Sequence, residues 1–181
     1  MSKLRSRLPP SFSVTVGMYA IDRSLRDIFG RLVNAVLLTP SEFFGGLRKG
    51  VKSKLPQELR GCETGRGHSR LLKLHYGRPE IHFEAWHHTG AGKLELGLHF
   101  EGTASFNQKA FDFFRPRMVE IKASLPRAEL EPWDRGWSRL YETIPAAQLD
   151  ELVQQSAIGR FAEYITTLQP LVTVFLNDRN A

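Results

Sequence analysis

The spacing of apolar residues changes along the chain and divides it into a helical front and a strand-rich remainder. Apolar positions recur every three or four residues from 22 to 38, which predicts an amphipathic helix. A second helix is predicted over 40–55, because Thr39 is a good N-cap and Pro40 suits the first helical turn. Residues 56–69 are polar and contain several glycines, which indicates a loop. Three glycines should weaken the second helix: Gly45, Gly46 and Gly50.

Alternating apolar and polar residues follow this loop and predict the strands of a sheet. Five strands are expected, over 70–76, 80–88, 93–101, 127–131 and 137–143. The second and third of them flank a glycine-rich turn, which predicts a hairpin with a two-residue type II′ loop at Gly90 and Ala91. That loop fixes the register, because the numbers of paired residues must then sum to 181, as 90 and 91 do.

The second half of the chain also contains helical patterns. Ser105 begins a capping box that predicts the start of a helix, and Pro116 should kink or split that helix. Pro145 is expected to open the last helix and Pro170 to end it. A short apolar tail is then expected at residues 171–176.

The predicted order of elements is α-α-β-β-β-α-β-β-α. Hairpin connections make the sheet largely antiparallel, and helices over one face give a two-layer α+β fold with about five strands. Two regions are expected, a basic arm and helical front over 1–69 and an α+β domain over 70–181. From the first strand onward this order is similar to that of the secretion-chaperone α+β folds, a resemblance of element order without a shared residue motif.

Composition excludes several classes of protein. Apolar residues make up 41% of the 181 residues and charged residues 24%, an ordinary globular composition that excludes wholesale disorder. No uninterrupted apolar stretch is long enough to span a membrane, so no membrane partner is expected. Cys62 is the only cysteine, which rules out an internal disulfide and favours the cytoplasm.

Charge is distributed unevenly along the chain. Residues 1–78 hold 15 basic and 5 acidic side chains, whereas residues 79–181 hold 10 basic and 14 acidic ones. This split predicts a basic face for an anionic partner, either nucleic acid or an acidic protein; the alternative is that the basic front packs beside the acidic back. The second helix supplies the anion-binding residues of this hypothesis, which are Arg48, Lys49, Lys52 and Lys54.

All six histidines lie between residues 68 and 99, around the predicted hairpin. In its register His82 lies opposite His99 and Glu80 opposite Glu101, all on the polar face. Two imidazoles and two carboxylates at this spacing suit a divalent transition metal such as Zn, Mn or Fe(II), whose bound water would serve hydrolysis. The alternative is an ordinary polar sheet face, and a shift of register by one residue would scatter the set.

The last predicted strand and its preceding turn carry aromatic residues and an arginine. Such a set can stack on unpaired bases, although internal packing or an interface between copies is the favoured alternative. The residues concerned are Trp133, Trp137, Arg139 and Tyr141. Self-association through them would make the protein a homo-oligomer.

Three functions follow from these patterns, and none rests on a recognised motif. The first expectation is a non-enzymatic binding module whose basic front meets nucleic acid or an acidic protein. The second is a metal-dependent hydrolase or nuclease centred on the histidine-rich hairpin. The third, a chaperone or assembly factor for a partner protein, depends on element order alone.

Overall fold

The sheet has six antiparallel strands, one more than the alternation predicts. A computed structural model describes residues 35–178, and it confirms the two-layer α+β class. The strands are β1 Glu63–Thr64, β2 Leu71–His75, β3 Ile81–His88, β4 Lys93–Phe100, β5 Glu129–Pro132 and β6 Ser138–Pro145. Their order across the sheet is β1-β2-β3-β4-β6-β5. The added strand is β1, whose two residues lie inside the predicted loop and are too few to show alternation.

The central hairpin of β3 and β4 has the predicted register. His82 lies opposite His99, and the pairing continues without a bulge from Ile81 to His88. The turn differs from the prediction, because Thr89–Ala91 forms a 3-10 turn closed by Gly92. Gly92 has φ 59°, so the left-handed conformation falls on this residue and not on Gly90.

Among residues 35–178, four α-helices cover one face of the sheet. They are α1 Pro40–Lys54, α2 Ala104–Phe114, α3 Met118–Ser124 and α4 Glu151–Asn177. The predicted start of α1 is confirmed, with Pro40 in its first turn and Thr39 as its N-cap. The Thr39 hydroxyl accepts a hydrogen bond from the Glu42 amide at 3.3 Å, and the Glu42 carboxylate accepts one from the Thr39 amide at 2.8 Å.

The segment before α1 is extended, which corrects the end of the predicted first helix. Residues 35–38 are not helical, and Leu37 forms an isolated antiparallel bridge with Asp150. The Leu38 amide donates to the Leu149 carbonyl at 2.8 Å, so tertiary pairing overrides the local helical spacing. The remainder of that predicted helix and the basic arm lie outside the described residues.

The middle helix is split by proline as predicted, but it begins earlier than expected. Its N-cap is Thr103, whose hydroxyl accepts a hydrogen bond from the Phe106 amide at 3.3 Å, and Ser105 lies within the first turn. A 3-10 turn over Arg115–Arg117 contains Pro116 and separates α2 from α3.

The last helix differs from the prediction at both of its expected ends. Pro145 is the final residue of β6, and α4 begins after Asp150, whose carboxylate accepts a hydrogen bond from the Val153 amide at 2.8 Å. Pro170 does not end the helix, and residues 171–176 continue it. Pro170 is exposed, so solvent can satisfy the carbonyl group that its missing N–H leaves free.

Two of the helix-weakening glycines lie where α1 packs along α4. A Cβ atom on Gly50 would lie 2.4 Å from Ile158 Cδ1, and one on Gly46 would lie 2.5 Å from Gln154 Nε2. The same Gln154 amide donates to the Phe43 carbonyl at 2.8 Å. Glycine therefore permits a close helix contact that larger residues would prevent.

The apolar core lies between the helices and one face of the sheet. Its largest completely buried side chains come from α1, α2, α4 and the central strands: Phe43, Leu47, Phe83, Leu94, Leu96, Leu98, Phe100, Phe114, Phe161 and Tyr164. These residues belong to one compact unit that begins at Ala35. No helix among residues 35–178 combines the length and apolar character needed to cross a bilayer.

The helix contact predicts opposite effects for two alanine substitutions in α1. Gly45 has no neighbouring atom near a new Cβ, so Gly45→Ala should raise the free energy of unfolding by up to about 1 kcal/mol through helix propensity. Gly50→Ala should lower it by about 1–2 kcal/mol, because the methyl group collides with Ile158. Urea denaturation measures both values. An equal stabilisation by the two substitutions would contradict the described packing.

Candidate functional site

The second face of the sheet carries ionisable side chains that are almost fully buried. We call four of them the His/Glu cluster: His82, Glu84, His99 and Glu101. One ligand atom from each residue lies within 4.8 Å of those of the others. The His82 and His99 rings stack with centroids 5.8 Å apart. Only Glu101 has appreciable exposure, with 16% of its side chain accessible.

His82 is held in a defined orientation by the backbone. Its Nδ1 lies 2.8 Å from the Pro79 carbonyl oxygen. Since a carbonyl only accepts, Nδ1 must carry the hydrogen, and Nε2 is then directed into the cluster. Nε2 lies 3.3 Å from Glu84 Oε2 and 3.7 Å from Glu101 Oε1. Either a proton or a cation must therefore lie between this nitrogen and the carboxylates.

His99 is completely buried and lacks hydrogen bonds. Neither of its ring nitrogens has a hydrogen-bond partner among residues 35–178. Its Nε2 lies 3.2 Å from Glu95 Oε1, but the two groups are not aligned for a hydrogen bond, and that oxygen is also unpartnered. A buried polar atom left unpaired costs about 1–3 kcal/mol. His99 and Glu95 therefore lie at ion-pair distance without an aligned hydrogen bond between them.

Two basic side chains neutralise part of the buried negative charge. Lys73 Nζ lies 3.1 Å from Glu84 and 2.8 Å from Glu101. Arg139 lies 2.7 Å from Glu95 and 2.6 Å from Glu131.

The Glu84 carboxyl is ionised at neutral pH despite its burial. Burial by itself would raise the pKa of Glu84, but the hydrogen bond from His82 and the charges of His99 and Lys73 lower this pKa to about 2. Glu95 behaves in the same way, because contacts with His99 and Arg139 outweigh the effect of burial and lower its pKa. The cluster therefore presents charged carboxylates to any cation that enters it.

The structure brings together three of the four metal ligands expected from the sequence. His82, His99 and Glu101 belong to the cluster, whereas Glu80 turns away and pairs with Arg78 at 2.5 Å. Glu84 lies in the cluster instead. Alternation over the predicted strand 80–88 puts both glutamates on one face, but β3 begins at Ile81 and Glu80 lies in the turn before it. The nearby Arg78 is the sequence signal that distinguishes Glu80.

A cleft beside β2 leads to the cluster. It has a volume of about 360 Å³ and we call it the β2 cleft. Its lining includes two members of the cluster, and the complete set is Gly65, Arg66, Lys73, His75, Pro79, His82 and Glu101. A small solute in this cleft could reach His82 and Glu101 directly.

The aromatic residues predicted for base stacking lie on the same face of the sheet. The Arg139 guanidinium stacks 4.7 Å from the Trp133 ring centroid and 4.0 Å from that of Tyr141. Trp133 also contacts Trp137, at 6.0 Å, and the edge of the His99 ring, at 5.4 Å. These contacts are internal packing and help to bury the cluster, while a role in base stacking stays a prediction.

The four basic residues predicted to bind anions lie on α1, a different element from the cluster. Arg48, Lys49 and Lys54 are exposed and Lys52 is half-buried. None of the four forms an ion pair within the described part of the chain. The helix therefore presents uncompensated positive charge to solvent.

Comparisons with known proteins found no relative of this chain. No protein-family model, curated protein sequence or solved structure matches the chain. Any inference about function therefore depends on the geometry and chemistry of the residues themselves.

Proposed function

We propose that this protein binds a divalent transition metal in the His/Glu cluster and uses it to hydrolyse an ester bond. The observation that carries the proposal is the completely buried His99, whose two ring nitrogens have no hydrogen-bond partner among residues 35–178. Two imidazoles and two carboxylates form a donor set suited to Zn, Mn or Fe(II). The bond from His82 Nδ1 to the Pro79 carbonyl is the outer contact that orients metal-binding histidines.

The charge balance of the site supports a divalent ion. Four carboxylates form two pairs: Glu84 and Glu101 share Lys73, and Glu95 and Glu131 share Arg139. His99 lies between the two pairs, 4.0 Å from Glu84 and 3.2 Å from Glu95. Lys73 and Arg139 offset two of their charges, so two negative charges are left when both imidazoles are neutral. One divalent cation would balance them. Protonation of both histidines would balance them too, and metal measurements separate these two states.

The spacing of the ligands supports the same ion. The four ligand atoms lie within 4.8 Å of one another. A zinc ion with bonds of about 2.0–2.2 Å holds its ligands roughly 3–4 Å apart. Side-chain shifts on the order of 1 Å would therefore close the cluster around a metal, and the backbone register of β3 and β4 would be unchanged.

The proposed reaction uses the side of the cluster that faces the β2 cleft. A bound metal supplies Lewis acidity and brings the pKa of a coordinated water near neutrality. Glu101 reaches the cleft, and it would hold the metal through one oxygen and accept a proton from that water through the other. The oxygen of the water would then add to the electrophilic atom of the ester. The bond to the leaving oxygen then breaks, and the alcohol departs with the proton from Glu101. The overall change is an ester plus water to an acid plus an alcohol.

Metal content measured on a matched pair of variants tests this proposal. After incubation with Zn²⁺ or Mn²⁺ and desalting, elemental mass spectrometry should find about one equivalent in the wild-type protein. Glu84→Gln keeps the shape of the side chain but removes its charge, so metal affinity should fall about tenfold or more. Glu80→Gln changes a carboxylate in the turn before β3 that pairs with Arg78 outside the cluster, and it should retain the metal.

A His99→Ala variant completes the design. It should also lose the metal, and circular dichroism would establish whether it and the glutamine variants stay folded. Metal-free wild-type protein after incubation, or equal loss of metal in Glu80→Gln and Glu84→Gln, would overturn the proposal. The histidines would then act as the protonated partners of their carboxylates.

The exposed basic face of α1 favours a second candidate function. We propose that Arg48, Lys49, Lys52 and Lys54 hold an anionic partner, for which nucleic acid is the first candidate and an acidic protein the second. The observation is that these side chains have no ion pair within residues 35–178. The free, buried thiol of Cys62 is compatible with a reducing compartment, and we propose the cytoplasm as the location.

Salt titration of DNA binding tests the basic face. Affinity for a 20-base-pair duplex should fall steeply with salt, and Arg48→Gln with Lys49→Gln should reduce the slope of log K against log salt by about 1–2. The matched control changes Lys109 and Lys122, which are exposed on α2 and α3. If the control pair flattens the slope as much, or if binding ignores salt, α1 does not form the interface. Binding to polyglutamate but not to DNA would indicate an acidic protein.

A further inference from the structure

The β2 cleft connects solvent to the proposed metal site, and β2 forms one of its walls. Two members of its lining, His82 and Glu101, belong to the His/Glu cluster. If the metal keeps a coordination position that no side chain fills, a substrate would reach that position through this cleft, because the cleft is lined by His82 and Glu101. The groups on the remaining walls therefore determine which substrate can approach.

Those walls carry nitrogen donors that differ in kind and position. Arg66 contributes a guanidinium and Lys73 an ammonium group. His75 contributes a buried imidazole, with 8% of the residue exposed, and its Nδ1 has no hydrogen-bond partner among residues 35–178. The Cδ2–Nε2 edge of this ring faces Gly65, because a Cβ atom there would lie 3.3 Å from Cδ2 and 3.7 Å from Nε2.

The charge of the cleft depends on the metal. Without it, Glu84 and Glu101 neutralise Lys73 through contacts of 3.1 and 2.8 Å. A divalent ion bound to those carboxylates would reverse this balance and leave the charges of Arg66 and the metal directed at the same space. An anion should therefore bind well only when the metal is present, and each should raise the affinity for the other.

We propose that the β2 cleft receives the phosphoryl group of a phosphate monoester, which makes the protein a metal-dependent phosphomonoesterase. The inference rests on the proposed metal site. A phosphoryl group offers three free oxygens, and these can meet the metal, the Arg66 guanidinium and the His75 imidazole at once. A carboxylate has only two oxygens and leaves one of these donors unpaired. The phosphoryl end of the substrate would enter the cleft, and its alcohol would extend to solvent.

In the reaction, the oxygen of the metal-activated water forms a bond to phosphorus, and the bond from phosphorus to the ester oxygen breaks. The leaving oxygen takes the proton that the water had given to Glu101. Inorganic phosphate and a free alcohol are the products, so no oxidant, reductant or further reactant is needed. Phosphate is thus both the product and a suitable probe of the cleft.

Gly61 and Gly65, on either side of β1, offer a matched pair of variants. A Cβ atom on Gly65 would lie 3.3 Å from Lys73 Cβ and equally close to His75, whereas one on Gly61 would meet nothing within 4 Å. Gly65→Leu therefore fills the cleft without changing a metal ligand, and Gly61→Leu adds the same side chain outside it. Arg66→Gln removes the guanidinium charge but adds no bulk.

The experiment is calorimetric titration of inorganic phosphate into protein that carries one equivalent of zinc, together with the metal-free form. The wild-type and Gly61→Leu proteins should bind one phosphate with equal affinity. Gly65→Leu and Arg66→Gln should each weaken binding at least tenfold while zinc content stays at one equivalent. The metal-free protein should also bind at least tenfold more weakly, and acetate should bind more weakly than phosphate.

The outcomes separate the two proposals. If zinc stays bound but phosphate is not bound, or is bound equally by Gly65→Leu, the phosphoryl site is wrong and the metal site stands. If acetate binds as tightly as phosphate, the cleft is a carboxylate site. If phosphate affinity does not depend on zinc, the cleft does not serve the metal. If neither zinc nor manganese is bound, both proposals are wrong.

Discussion

The pairing of β3 with β4 is the constraint on which the rest of this structure depends. Side chains on a strand alternate between faces, so one register decides both the core and the cluster. The same pairing that directs Phe83 and Leu98 under the helices directs His82 and His99 to the other face. A slip by one residue would bury the histidines in the core and expose the leucines. The apolar core on one face therefore fixes the geometry of the proposed metal site on the other.

The second face of the sheet is unusual because its charges are buried as well as paired. Glu84 is 2% exposed and Glu95 is 2% exposed, and each is kept ionised by neighbouring nitrogen atoms. Removing one partner of a buried ion pair costs about 3–5 kcal/mol, whereas a well-packed apolar replacement of the whole set is often neutral or stabilising. Such a network is therefore a poor way to stabilise a sheet. Its presence is better explained by a task that requires ionised carboxylates out of water.

Sequence patterns predict an element of this fold correctly where a long periodic run of apolar residues is bounded by a turn or a cap. They fail where tertiary contacts decide where an element begins or ends. The alternation of β3 and β4 gives their register, and Pro116 gives the division between α2 and α3. Pro170 does not end α4, because it lies on the solvent-exposed side of that helix. Which side of the helix faces solvent is decided by packing, so the sequence pattern alone does not predict it.

The candidate site shows the same division between local and tertiary information. Alternation places Glu80 and Glu84 on one face of the predicted strand 80–88, and the predicted register pairs Glu80 with Glu101. The side chain of Glu80 instead follows the nearby Arg78, and Glu84 turns toward Lys73 on β2. A neighbouring strand, β2, thus determines which of the two glutamates joins the cluster. The sequence pattern does not show that β2 lies beside β3, because this pairing forms only in the assembled sheet. By contrast, the opposition of the two histidines is set by the hairpin alone, and the sequence predicts it correctly.

A second buried carboxylate in the same sheet shows what a purely structural charge looks like in this protein. Glu142 of β6 is 3% exposed, and both of its oxygens accept hydrogen bonds: Arg160 donates to each, at 2.8 and 2.6 Å, and Arg127 adds a third at 3.2 Å. Both of its oxygens are engaged by arginines, so this carboxylate holds α4 against the sheet, although Glu142 also lines a cleft of about 330 Å³. His99 and Glu95 are equally buried but retain unpartnered atoms. Since the fold can saturate a buried charge, the unpartnered atoms of His99 and Glu95 distinguish these two residues from Glu142 and support the proposal of a ligand there.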